Sequence, residues 1–401
     1  MNRRVFFYVQ HLLGIGHLRR AATLARALAR SGFDVLLVSG GAPVLGLDTG
    51  GARFHQLPAL RARDEGLREL AQLDGTPLDD AFRAQRTQAL VGLLRAEKPD
   101  FLITEQFPFG RTQLRFELLP LLEAAKALPK PPRILSSVRD VLRESASAAR
   151  IAETVETFER YFDGVLVHAD PALVSLDKSF AGWGRVKDRA HYTGYVVESD
   201  PMPASATGSG EVPSGEVIVS AGGGAVGGPL LRAAIAARPL TSLAGRTWRR
   251  LVGDNLPPAD LAALRAEADR SALRAGAGIE IESARPDFTA LLAGSALSIS
   301  QAGYNTVVET LVYGDRAVLV PFATERETEQ ARRAQLLAER GLVQTVAAAG
   351  LDGSVLAAAV ERALAGRSIR SFPRCDANGG RATAALLASM ARVGGARAGG
   401  A

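Results

Sequence analysis

The residues able to do chemistry in this chain stand at the ends of apolar runs. His17 sits where the loop HLLGIG meets a helical pattern, LRRAATLARALAR. A helix N-terminus favours the neutral form of a nearby imidazole, which can then take a proton. A plainer reading makes His17 a capping or phosphate-contacting side chain, and His11 is a weaker candidate nearby. Glu105 ends the run FLIT, at the rim where α/β sheets bind ligands. There it could orient the His17 imidazole, or simply pair with Arg111. Arg139 and Asp140 close ILSSV on the same rim, and His168 and Asp170 close GVLV. Asp140 stands behind His17 and Glu105 as a further candidate for proton transfer. In the second half, Glu309 lies on a helix that opens near Tyr304 or Asn305, directly after Gln301-Ala302-Gly303. A carboxylate about one turn in could accept both hydroxyls of a ribose whose phosphates sit at the helix start. The alternative is that Gly303 only lets helix and strand pack closely, and Glu309 is a solvated charge.

Such residues need a strand, a small-residue turn and a helix in succession. The stretch from Ser298 to Ala334 supplies them. A short apolar strand ends near Ser300. After the turn, Val307, Val308, Leu311 and Val312 recur at helical spacing, and Gly314-Asp315 stops that helix. A nearly all-apolar strand, 317–320, follows, as expected where both faces are covered. A polar loop with Glu325 and Glu327 then leads Glu329 and Gln330 into another helix. A second loop of this kind, Ser220-Ala221-Gly222-Gly223-Gly224, follows the strand 217–220 and precedes a helix near Pro229. Consecutive glycines let backbone N–H groups approach a pyrophosphate, although they also suit a flexible turn. In the first half, residues 5–10 read as a strand, and 64–98 read as mostly helical with a break around Gly75 and Pro77. Residues 200–215 are rich in Pro, Gly and Ser and read as a linker.

With 401 residues, 47% apolar and 22% charged, the chain has room for two soluble domains with separate cores. It shows no apolar run of ~18 residues that would span a bilayer. One cysteine, Cys375, excludes disulfides within the chain and any multi-cysteine metal site. The net charge of +6 comes mostly from arginines, scattered rather than interleaved with aromatics, so nucleic acid is not an expected partner. Such a balance suits anionic ligands or an anionic membrane face. The first glycine loop, Gly14-Ile15-Gly16, reaches Arg19 where a dinucleotide fingerprint needs glycine, which argues against NAD.

Two α/β halves, each with a glycine-rich loop after a strand, resemble the GT-B glycosyltransferase architecture. The motifs SAGGGAVGG, DFTALLAGSALSISQAGYNTVVE, VLVPF and ETEQARRA, in that order, resemble glycosyltransferase family 28, best known for the N-acetylglucosaminyltransferase of the lipid II pathway. GIGHLRRA is similar to that family's N-terminal glycine- and histidine-containing loop. The resemblance implies two Rossmann-like, doubly wound parallel-sheet domains facing a central cleft. The expected division is an acceptor-binding domain over 1–199, a linker over 200–215, a nucleotide-sugar domain over 216–375, and a C-terminal helix and tail over 376–401. Gly222, Gly223, Gly224 and Gly303, Tyr304, Asn305, Thr306 would hold the donor diphosphate. Glu309 would bind the ribose, and Glu329 with Gln330 the donor sugar. His17, supported by Glu105, would act as base, with Gly14, Gly16 and Arg139 on the acceptor side. The implied activity is a metal-independent, inverting transfer from a UDP-sugar, with no further cofactor. The family's second N-terminal glycine motif is replaced by ITEQFPFGR, which argues against lipid I as acceptor. A UDP-sugar 2-epimerase and a non-catalytic nucleotide-sugar-binding protein are the alternatives. The expected location is the cytoplasm, with weak peripheral contact at the inner membrane face left open.

Overall fold

The computed structural model describes residues 3–12, 14–63, 69–143, 147–197, 215–222, 227–253, 258–275, 279–283, 285, 287–322 and 328–398. The chain divides into two compact units, Met1–Glu198 with Asp376–Ala401, and Ser199–Cys375.

The first unit opens with β1 (Arg4–Val9), buried at every position after Arg4. Such a strand is covered on both faces. α1 (Gly16–Arg30) covers one of them, because Leu18, Ala21, Ala22, Leu24, Ala25 and Leu28 form an apolar stripe at helical spacing. β2 (Asp34–Ser39) and β3 (Arg53–Gln56) follow, then β4 (Leu60–Ala62) and β5 (Leu70–Gln72). α2 (Asp80–Glu97), β6 (Phe101–Glu105), α3 (Arg115–Lys126), β7 (Arg133–Arg139), α4 (Ala148–Tyr161), β8 (Gly164–His168), α5 (Trp183–Val186) and β9 (Ala190–Tyr192) complete the run. Seven strands form one sheet in the order β3-β2-β1-β6-β7-β8-β9, with every pairing parallel.

Residues 64–98 are expected to be mostly helical, but within the described part, 69–98, the helix begins only at Asp80. β5 pairs antiparallel with β4, and Gly75, at φ 93°, turns the chain behind it. Asp79 then fixes the start of α2, its side chain accepting the N–H of Phe82 at 2.7 Å. Residues 64–68 lie outside the described part.

In the second unit, β10 (Val217–Ser220), α6 (Gly228–Ala237), β11 (Trp248–Val252), α7 (Pro258–Ala275), β12 (Ile279–Ser283), α8 (Phe288–Ala293), β13 (Leu297–Ser300), α9 (Tyr304–Tyr313), β14 (Ala317–Leu319), α10 (Glu329–Glu339), β15 (Gln344–Thr345) and α11 (Gly353–Ala365) alternate strand and helix. Their sheet order is β12-β11-β10-β13-β14-β15, again all parallel. Trp248 is its largest fully buried side chain, packed among Val217, Leu231 and Leu264, with its indole N–H donating to the Leu243 carbonyl at 3.1 Å.

α12 (Gly379–Ala398) belongs to the first unit and packs on α1. Ala384 and Leu387 enter the same core as Val5, Leu24 and Leu28. Tyr195 N–H donates to the Asp376 carbonyl at 2.6 Å, and Gly379 N–H to the Tyr195 carbonyl at 2.9 Å. The C-terminal segment is thus sewn onto the N-terminal half of the chain. Among the described residues no helix is long and apolar enough to cross a membrane.

Candidate functional site

Each sheet reverses its winding once, between β1 and β6 in the first unit and between β10 and β13 in the second. Outside the carboxyl ends of two such strands the loops diverge and leave a crevice, the usual ligand site of doubly wound sheets.

At the first crevice, His17 lies in the opening turn of α1 and Glu105 ends β6. The structure brings them together: His17 Nδ1 is 2.6 Å from Glu105 Oε1. A carboxylate can only accept, so the proton sits on Nδ1 and leaves Nε2 as the basic nitrogen. Burial pushes the His17 imidazole well below the usual histidine range. Arg139 and Arg111 push the same way, against the opposite pull of Glu105. His17 is therefore neutral at pH 7. Burial opposes ionisation of Glu105, but His17, Arg20 and Arg111 together hold its carboxyl down to about 2.

Arg20, which the sequence reading passes over, reaches Glu105 Oε1 with Nη2 at 2.5 Å, both side chains being buried. Arg111, proposed as the partner of Glu105, also acts electrostatically on that carboxylate. The signal was present in the spacing, because residues 17 and 20 share one face of a helix. Asp140 is buried one residue past β7, and its Oδ1 accepts the N–H of Val141 at 2.8 Å. His168 is a core histidine, with Ser137 Oγ at 2.9 Å from Nε2 and Thr193 Oγ1 at 2.8 Å from Nδ1. His11 is buried as well, its ring set against Gly41, where any Cβ would lie 2.4 Å from it. Gly14 and Gly16 are exposed, and a Cβ added to Gly14 would meet nothing within 4 Å.

At the second crevice, Gly222 follows β10 and the turn 301–303 follows β13. The Gln301 N–H donates to the Ser220 carbonyl at 3.2 Å, tying the two loops together. Gly222 has φ 67°, a left-handed conformation that suits glycine. Gly223 and Gly224 lie outside the described residues, as do Glu325 and Glu327. Gly303 is the N-cap of α9 in extended conformation and, having no side chain, offers that helix no capping group of its own. A Cβ at Gly303 would meet nothing within 4 Å. Close packing of helix on strand therefore does not explain the glycine. Tyr304 is buried, while Asn305, Thr306 and Glu309 are half-buried on the first turns of α9.

Glu329, 8% exposed, and Gln330 begin α10. Gln330 Oε1 accepts the N–H of Phe322 at 3.1 Å, so its amide also orders the loop after β14. Arg333, likewise absent from the sequence reading although it lies within ETEQARRA, is fully buried. Its Nη1 donates to the Ala302 carbonyl at 2.8 Å, and its guanidinium stands 5.8 Å from the centre of the Tyr304 ring. It braces the turn on which α9 opens. Among the described residues no group of three His, Cys, Asp or Glu side chains could hold a metal ion.

Residues 267–383 match the glycosyltransferase family 28 C-terminal domain. Among solved structures, the chain is similar to MurG of Acinetobacter baumannii, with TM-score 0.59 and 15% identity over 96% of this chain and 99% of that one. It is also similar to the glycotransferase of kitacinnamycin, with TM-score 0.61 and 14% identity over 97% and 99%. A third likeness is to a UGT transferase from Siraitia grosvenorii in complex with UDP, with TM-score 0.53 and 14% identity over 90% and 91%. No curated protein sequence matches the chain. Two parallel-sheet α/β units and these likenesses establish the GT-B architecture.

Proposed function

We propose, for this family 28-like glycosyltransferase of GT-B architecture, that it moves a sugar with inversion from a nucleotide-diphosphate donor, with UDP as the nucleotide, to a small-molecule or lipid-linked acceptor. The observation that carries the reading is the open space at Gly303 among the described residues, at the start of a helix beside the switch point, with Glu309 further along the same helix. Backbone amides of 303–306 and the dipole of α9 would receive the diphosphate, and Glu309 the ribose hydroxyls. Glu329 and Gln330 would hold the sugar.

In the first unit, His17 Nε2 would take the acceptor proton as the acceptor oxygen bonds to the anomeric carbon. The bond from that carbon to the diphosphate breaks, and its electron pair leaves with UDP. Glu105 fixes the tautomer and stabilises the imidazolium that forms, while Arg20 keeps Glu105 ionised. Negative charge grows on the leaving diphosphate, so amides aimed at it bind the transition state more strongly than the ground state. That counter-charge suffices without a metal ion, and turnover should persist in EDTA.

Calorimetry with UDP tests the donor half. Glu309→Ala should weaken binding about 10- to 100-fold, the scale of losing hydrogen bonds to a charged acceptor. Affinity equal to that of the unaltered protein would remove the ribose role. His17→Ala tests the other half, with turnover lowered at least about 100-fold and UDP affinity kept.

A further inference from the structure

On β11 two neighbouring arginines are housed in opposite ways. Arg249 points to one face of the sheet, where Glu216, Glu280 and Glu282 all pair with it. Residues two apart on a strand share a face, so Arg250 points to the other face with Trp248 and Val252. That face carries the core of the second unit, which Trp248 and Val252 share with Leu231 of α6 and Leu264 of α7. The register partners of Arg250 are Val219 on β10 and Ile281 on β12. Its guanidinium is therefore set in an apolar layer, beneath two helices that pack against each other.

Arg250 is fully buried, and among the described residues none accepts a hydrogen bond from its Nε, Nη1 or Nη2. Other arginines of the interior are held. Arg86 pairs with Glu117 and donates to the Gly40 carbonyl at 3.0 Å, Arg333 donates to the Ala302 carbonyl, and Arg238 donates to the Arg246 carbonyl at 3.4 Å. Glu267, half-buried on α7, attracts Arg250 without hydrogen-bonding to it. Burial first, and Arg238 second, push the Arg250 guanidinium down to about 9 against that attraction, so it keeps its proton at pH 7. A buried cation whose donors all lack acceptors is among the costliest groups a core can hold, and it calls for an acceptor from outside. Both helices bring small side chains to this core, Ala233, Ala234 and Ala237 from α6 and Ala268 from α7. A ligand among them must be compact.

We infer that Arg250 is the floor of a second anion site in this unit, which takes a compact tetrahedral oxyanion of the phosphate class between β11 and the helices α6 and α7. A guanidinium presents two parallel N–H donors to such an oxyanion, and seclusion from water strengthens the pairing. The site is distinct from the place proposed for the donor diphosphate. That place lies outside the carboxyl ends of β10 and β13, whereas Arg250 is in the middle of β11, on the other side of β10 from β13.

Thermal scanning of the full-length protein in inorganic phosphate and in chloride, at equal ionic strength, tests the site. Phosphate should raise the melting of the unaltered protein by at least about 2 °C. Arg250→Met keeps the side-chain length and the donor corner, and should lose most of that gain. An equal gain in both proteins puts the anion elsewhere and overturns the inference, and so does the absence of any gain in the unaltered protein. Crystals of the unaltered protein soaked in arsenate give a second test that needs no variant to fold. An anomalous peak within hydrogen-bonding distance of the Arg250 guanidinium supports the site. A peak at Gly303 alone overturns it while leaving the donor reading standing, and no peak at either place overturns it as well.

Discussion

At the scale of single residues, the pair His17–Glu105 makes two predictions about pH. The Glu105 carboxyl lies at about 2 when folded, against an ordinary value of 4.5. A depressed carboxylate contributes stability that is complete above the unfolded value and is lost as pH falls toward the folded one. Urea unfolding followed between pH 5 and 2 should therefore show a shallower acid decline in Glu105→Gln than in the unaltered chain. At neutral pH the same variant should be less stable, because it removes the negative charge that faces buried Arg20. His17 shifts downward too, and for a histidine the unfolded chain then takes up its proton first, so this group costs stability as pH drops below 6.5. For catalysis the neutral form is the working one. The profile of kcat/KM should be level between pH 6.5 and 8 and fall only at more acid pH. Arg139→Gln removes a repelling charge and should move that acid limb upward.

Elements decide whether a glycine serves packing or binding. Gly303 and Gly227 both precede helices in the second unit, yet their surroundings differ. A Cβ on Gly303 meets open space, while one on Gly227 would lie 2.0 Å from the Cβ of Ala221. Gly303→Ala should melt within about 0.5 kcal/mol of the unaltered protein and still bind UDP at least tenfold more weakly, since its methyl group enters the phosphate's place. Gly227→Ala should lose thermal stability outright, as the link from β10 to α6 must shift. Arg333 shows the same division. Replacing it with Ala leaves the Ala302 carbonyl unpaired and opens a void, a loss of ~3 kcal/mol or more in urea unfolding. Arg333→Met refills the volume and should recover part of that stability without recovering UDP affinity. Much of this was legible from local pattern: the helix from Tyr304 and the strand before it follow from spacing and the turn residues. The hairpin at 60–72 was not, because three-residue strands have too little periodicity to declare themselves.

On the scale of the whole molecule, the chain's last helix stabilises its first half. α12 contributes Ala384 and Leu387 to the α1 core, and Arg3 Nη1 donates to the Ala388 carbonyl at 3.1 Å. Ending the chain before Asp376 would expose that apolar face of α1. The truncated protein should show the first unit melting earlier, or aggregating, while the second unit keeps its UDP affinity, as calorimetry and thermal scanning would show. Full stability after truncation would mean that α12 is an appendage.

By itself the sequence determined the local elements that carry the chemistry: apolar runs buried as parallel strands, glycine turns after β10 and β13, a histidine at the start of α1 and a carboxylate at the end of β6. These follow from periodicity and turn chemistry, which act over a few residues. Tertiary structure alone decided that Arg20 reaches Glu105, that Arg333 reaches back to Ala302, and that α12 closes the first unit. Each is a contact between segments far apart in the chain or on different elements, and strand order decides which ends come side by side. A buried charge pairs with whatever that order brings within reach.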